Sequence, residues 1–202
     1  MAVKDHSLDP MIIEAARAEF LAHGFQKASL HKIADRAGIT TGALYTRYRN
    51  KDALFTSLVE PVLKEMALKS QPILEGYQKV QASPSADALL EAIRQEEALY
   101  LDLLFEHYED CILFFCKSGG SSLEKQIQQQ MTMKSQQTVD FFRSIARKDL
   151  DYDGIELIMG QQFYYYRQIL ERGYSREKAV RCMKTVELFL ESGWRSICEK
   201  IL

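Results

Sequence analysis

Between Lys27 and Lys51 the chain carries six basic side chains, Lys27, Lys32, Arg36, Arg47, Arg49 and Lys51, against the single acid Asp35. Interleaved with them stand the hydroxyl groups of Ser29, Thr40, Thr41, Tyr45 and Thr46, with Gly42 in their midst. Clustered cations attract phosphates, and polar side chains at the start of a short helix can reach phosphate oxygens and base edges. The chemistry on offer is recognition of a polyanion rather than bond making. Because the whole chain has a net charge of −2, this basic patch sits on an otherwise acidic body that resists nonspecific coating of the polyanion.

Helices must hold these groups in place. Asp9 can cap a first helix with Pro10 at its first position and Ile12, Ile13, Ala16 and Phe20 on one face, ended by Gly24. Ser29 can cap a second, Leu30 to Ala37, closed by Gly38, and Thr40 a third, running to about Tyr48. Asn50 can cap a fourth, which begins at Lys51 and Asp52. Small Ala34 and Ala37 allow close approach of the second and third helices, Gly38 permits a left-handed turn, and Ile39 can plug the angle between them. Leu44 and Tyr48, four apart, then point at Ile33 and the first helix. Thr40, Thr41, Gly42, Tyr45, Thr46 and Arg47 remain on the outer face, where a recognition helix meets the major groove. Gly42 lets the backbone lie near the groove floor. Lys51, with the amides that open the fourth helix, forms a second phosphate clamp, and Ser29 does the same from the second helix. Short helix pairs with Ala and Gly at the turn also occur as ordinary bundle packing; the charge count favours DNA.

These residues resemble a known family. Phe20 to Gly24, Ile33-Ala34 with Ala37-Gly38, and Gly42-Ala43-Leu44-Tyr45-Thr46-Arg47-Tyr48 followed by Lys51-Asp52-Ala53-Leu54-Phe55 are similar to the N-terminal signature of the tetracycline-repressor (TetR) family, over about residues 9 to 58. The resemblance implies an all-helical homodimer of about nine helices per subunit, a small-molecule pocket in the C-terminal domain, and repression relieved by an inducer. It implies phosphate contacts at Ser29, Arg47 and Lys51, and base reading at Thr41, Gly42, Tyr45 and Thr46. One departure matters: the family's recognition helix commonly ends Tyr-x-x-Phe with a histidine before the Phe, whereas Arg47 and Tyr48 stand there. The cation is kept, but the identity of the base contacts is not inherited.

The rest of the chain also reads as helix, because no period-two alternation is sustained and Pro and Gly number only 4 and 10. The expected architecture is all-α, with a DNA-binding domain at 1–60 and a ligand-binding and dimerisation domain at 61–202. Pro61 either bends the fourth helix or follows a break in it. Pro72 and Gly76 weaken helix locally, Ser83-Pro84-Ser85 is a loop, and helices follow over 86–107, 109–117, 122–148, 152–172 and 175–200. Aromatic and sulfur side chains are plentiful here. They point to a pocket for an apolar or aromatic effector, walled by Tyr100, His107, Tyr108, Cys111, Phe114, Phe115, Met131, Gln162 and Tyr166, with Met133, Phe141, Phe163 and Tyr165 in the wider set; an ordinary helical core is the alternative. The last two helices carry Ile158, Leu188, Phe189, Leu190 and Trp194 around more of their girth than a surface helix should. A two-fold contact between copies would cover them and set two recognition helices about one DNA turn apart on a palindromic operator.

Other classes fit less well. No run of about eighteen apolar residues occurs, and Met1 to His6 lacks a secretory signal, so the expected location is the cytoplasm. His6, His23, His31 and His107 are scattered, and no nucleophile elbow, metal-spaced cluster or phosphate loop appears, so no catalytic residue, metal or cofactor is expected. The acids Glu96-Glu97, Glu106, Glu109 and Asp110 read as solvated helix faces. Cys111, Cys116, Cys182 and Cys198 read as reduced, buried thiols, with redox sensing as the alternative. A protein-binding adaptor leaves the basic segment unexplained.

Overall fold

A computed structural model describes residues 9–146, 151–159 and 161–201. Lys148, the predicted end of the long helix, and the stretch Met1 to His6 lie outside them. Every regular element among the described residues is a helix, as expected: α1 (Asp9–Lys27), α2 (Leu30–Arg36), α3 (Thr41–Arg47), α4 (Lys51–Lys69), α5 (Gln71–Ala82), α6 (Ala86–Glu106), α7 (Tyr108–Cys116), α8 (Ser122–Ile145), α9 (Tyr152–Met159), α10 (Gln161–Glu171) and α11 (Arg176–Ile201). None of them is long and apolar enough to cross a membrane.

Two compact units result. The first takes the chain up to Leu63 and adds Glu109–Ile127; the second comprises Lys64–Tyr108 and Gln128–Leu202. The sequence placed a single boundary after residue 60, close to the one at Leu63, but left residues 109–127 with the C-terminal part. Polar ties hold them in the first unit. The backbone N–H of Phe25 donates to the Lys117 carbonyl (2.9 Å), Arg17 pairs with Asp110, and the Asp52 carboxylate accepts from both the amide (2.7 Å) and the hydroxyl (2.5 Å) of Ser122. The core of this unit is centred on Phe20, Phe25 and Phe55, with ring centroids 4.9 Å (Phe20–Phe55) and 5.3 Å (Phe25–Phe55) apart.

In the second unit α6 packs against α5 and α11. Leu89, Leu90, Val139, Phe142 and Trp194 are buried together there, and Phe142 stacks on Trp194 at 5.4 Å. Of two prolines, one acts as expected and one differently. Pro61 lies inside α4, which continues to Lys69, and Pro72 starts α5 rather than breaking a helix, because at the first positions of a helix its missing N–H has no partner to lose. None of the four cysteines is in a disulfide; burial pushes the Cys111 thiol up to about 12, which favours its protonated form.

Candidate functional site

The turn between α2 and α3 closes as its residues require. Gly38 has φ 69°, its N–H donates to the Asp35 carbonyl (3.1 Å), and the Ile39 N–H donates to Ala34 (3.0 Å). This is the paired C-terminal closure that a left-handed residue after the cap allows. The Ser29 hydroxyl accepts from the Lys32 amide and the Thr40 hydroxyl from the Ala43 amide, capping the two helices. Ile33 and Leu44 are fully buried and fix the back of α3 to the unit. Tyr48, half-buried, follows the last turn; burial, reinforced by the nearby Asp9 carboxylate, raises its phenol pKa.

What remains outward is the predicted face. Tyr45 is 51% exposed, and Thr40, Gly42 and Thr46 are exposed around it, with Thr41 half-buried. The Thr46 hydroxyl donates to the Gly42 carbonyl (3.0 Å), so its oxygen is left to accept and its methyl to make apolar contact. The Thr40 hydroxyl uses its oxygen in the cap and keeps its own proton to donate. Gly42 meets nothing in the protein: a Cβ built there comes no closer than 3.8 Å to Thr40 Oγ1. Neither backbone conformation nor internal packing therefore calls for glycine, and the bare backbone leaves room for a close approach from outside. Gly42→Ala should strengthen α3 by about 0.5 kcal/mol, seen as a small rise in melting temperature, while weakening DNA binding at least severalfold in a fluorescence-anisotropy titration.

Two of the residues expected to contact phosphate, Arg47 and Lys51, make contacts within the chain. Arg47 turns inward, its side chain only 12% exposed, to Asp9 at the start of α1 (3.2 Å) and to the Ala43 carbonyl (3.4 Å). Lys51 donates to the Gln26 (3.0 Å) and Ala28 (3.2 Å) carbonyls and lies over the Phe25 ring, capping the end of α1 where the helix dipole attracts a cation. Arg47 thus ties α3, and Lys51 ties α4, to α1. The exposed cations of this segment are Lys27, Lys32, Arg36 and Arg49.

The second unit holds a cavity of about 450 Å³. Its wall draws Leu74 and Tyr77 from α5, Ile93, Glu96, Glu97 and Tyr100 from α6, Lys134 and Phe141 from α8, Met159 from α9, Gln162 and Phe163 from α10, and Trp194 from α11. Of the nine predicted pocket residues, Tyr100 and Gln162 line it, and Tyr166 is buried behind Tyr100 with ring centroids 6.1 Å apart. The others do not converge there. Cys111, Phe114 and Phe115 belong to the first unit because α7 folds with it. Met131 is half-buried off the wall while Met133 lines it, and Tyr108 stacks on Phe105 at 5.8 Å. His107 lies 3.0 Å from Glu65, and the ammonium of Lys69 bridges Glu65 (2.6 Å) and Glu106 (2.9 Å).

Glu96 and Glu97 are not a solvated face. Glu96 is 7% exposed; it takes a proton donation from Tyr77 (2.8 Å) and pairs with Lys134 (2.5 Å), which also donates to Gln162 (3.1 Å). A buried carboxylate needs such partners. Burial raises Glu97 to about 7, helped by the negative charges of Glu187 and Glu96 and opposed by Lys134. The signal was present in the spacing: Leu89, Ile93, Glu96 and Tyr100 recur at helical period on one face of α6, as do Gln130, Met133, Lys134, Gln137 and Phe141 on α8.

Comparison with known proteins agrees with this geometry. Residues 12–58 match the family model described as bacterial regulatory proteins, tetR family. A probable acrEF/envCD operon repressor of Escherichia coli (strain K12) is 34% identical over 98 residues, a match that spans 41% of this chain and 44% of that protein, less than half of its length. Among solved structures, NalD, the secondary repressor of the MexAB-OprM multidrug efflux pump in Pseudomonas aeruginosa, aligns with TM-score 0.61 at 16% identity over 91% of this chain and 96% of its own. FadR from Bacillus subtilis in complex with stearoyl-CoA aligns with TM-score 0.57 at 19% identity over 92% and 98%. Those two likenesses speak to the fold along nearly the whole chain, and the family match falls on the helix-turn-helix. Residues 12–58 thus match the N-terminal domain of the tetR family of bacterial regulatory proteins, and the chain as a whole has the fold of those solved structures.

Proposed function

We propose that the protein is a ligand-responsive, sequence-specific transcriptional repressor that binds double-stranded DNA in the cytoplasm as a homodimer on a palindromic operator. Residues 1–60 read the DNA; residues 61–202, apart from the 109–127 segment, hold the effector and the dimer contact. The observation that carries this reading is the outer face of α3, where Thr41, Gly42, Tyr45 and Thr46 are presented while Leu44 and Arg47 tie the helix from behind. Ser29 and Thr40 supply hydroxyl donors to the phosphates, and Lys51 supports the site through α1 and through the amides that open α4. An apolar effector occupies the cavity of the second unit and releases the DNA. Leu188 and Phe189, 69% and 76% exposed on α11, and Leu157, 75% exposed on α9, supply the apolar surface a partner copy would cover.

The test is selection of genomic fragments from the source organism on the purified protein, followed by a salt titration on the fragment retained. The proposal expects a two-fold sequence bound by two chains, with affinity that falls steeply as salt rises. A protein that retains no fragment above background, or one indifferent to salt, contradicts it.

A further inference from the structure

We propose that the cavity of the second unit takes a lipophilic cation, with its positive centre against Glu97 and its apolar body among the rings of Tyr77, Tyr100, Phe141 and Trp194. The proposal rests on the effector cavity put forward above and names its ligand class.

The charges around the cavity decide the sign. Its wall contains three charged groups, Glu96, Glu97 and Lys134. Lys134 is already satisfied: its ammonium is bonded to Glu96 and Gln162 and lies 5.1 Å from the centroid of the Tyr100 ring. An anionic ligand would have to pull Lys134 away and leave Glu96, nine-tenths buried, with Tyr77 as its remaining donor. Glu97 is different. It forms no ion pair or hydrogen bond among the described residues, and the charge that faces it from α11 is a third carboxylate, Glu187, while Arg94 beside it is taken by Glu91 and Glu191. A cation entering here meets an unneutralised carboxyl and a wall of aromatic faces, and ring faces attract weakly hydrated cations most strongly when water is excluded. The volume, about 450 Å³, falls within the range usual for small-molecule sites.

A pH dependence follows. With Glu97 raised to about 7, the carboxyl is largely neutral at pH 6 and ionised at pH 8. The groups facing it are Glu96, Tyr77, Tyr100, Lys134 and Glu187, with Arg94 beside it held by Glu91 and Glu191. Affinity for a permanent cation should therefore rise about tenfold from pH 6 to pH 8 and level off above.

The experiment uses the full chain with tetraphenylphosphonium and tetraphenylborate, ions of nearly the same size and opposite charge, plus decanoate. Trp194, the only tryptophan in the chain and part of the cavity wall, reports binding by fluorescence quenching. The expected result is tetraphenylphosphonium bound at least tenfold more tightly than tetraphenylborate at pH 8, with both that preference and the pH dependence lost in Glu97→Gln, whose circular-dichroism spectrum stays unchanged. Tighter binding of tetraphenylborate or decanoate, or an unaltered preference in Glu97→Gln, overturns the cation assignment. Glu97-dependent binding of the phosphonium that leaves operator affinity untouched overturns instead the reading of the cavity as an effector site.

Discussion

Tyr45→Ala should lower affinity for the operator by roughly ten- to a hundredfold, the loss of a side chain that reads base edges, while the thermal melt hardly moves. The side chain is half exposed on α3, and alanine is the better helix former. Affinity for unrelated duplex should fall far less, because the exposed cations Lys32, Arg36 and Arg49 are unchanged. Anisotropy titrations on operator and scrambled duplex, with a melt by circular dichroism, separate the outcomes. A melt that drops in step with affinity would make Tyr45 a packing residue.

Lys134→Ala should have the largest effect on stability in the second unit. It removes the cation 2.5 Å from Glu96 and leaves a buried carboxylate beside Glu97 with Tyr77 as its donor. Because the lysine is itself 28% exposed, the cost is set below that of a fully buried pair, at about 2 kcal/mol near pH 8, or roughly 5 °C in melting temperature for a chain of this size. The sign of its pH dependence follows from the missing cation. Without Lys134 the penalty falls on the charged form of a buried carboxylate that has lost its counter-charge, and a protonated carboxyl does not carry it. Melts at pH 5 and pH 8 should show the larger loss at pH 8. The double variant Glu96→Gln with Lys134→Met, which removes both charges, should recover most of it.

The helix-turn-helix was legible because its determinants are local. Ser29, Gly38 and Thr40 each act within a few residues, as cap, left-handed turn and cap, and the alternation of Leu44 with Tyr45 already separates a buried from an open face. The inward turn of Arg47 and Lys51 was not legible. Their partners, Asp9 and the Gln26 carbonyl, lie 38 and 25 residues away, and a cation next to a recognition helix looks the same in sequence whether it faces a phosphate or a helix end. The cavity failed for a related reason: periodicity says that Cys111 and Phe114 are buried, but not against which helices. The segment that carries them is tied into the first unit through Arg17, Phe25 and Asp52, distant positions that no window around α7 contains. Glu96 and Glu97 were set aside because charge was taken as exposure; the period of their apolar neighbours was the stronger signal.

Backbone amide exchange of the full chain with and without its operator tests the central claim most directly. The account predicts slowed exchange in α3, in the turn before it and at the first residues of α2 and α4, with α10 unaffected. Protection confined to the second unit, with the amides of residues 40–47 exchanging at their free rate, would contradict it.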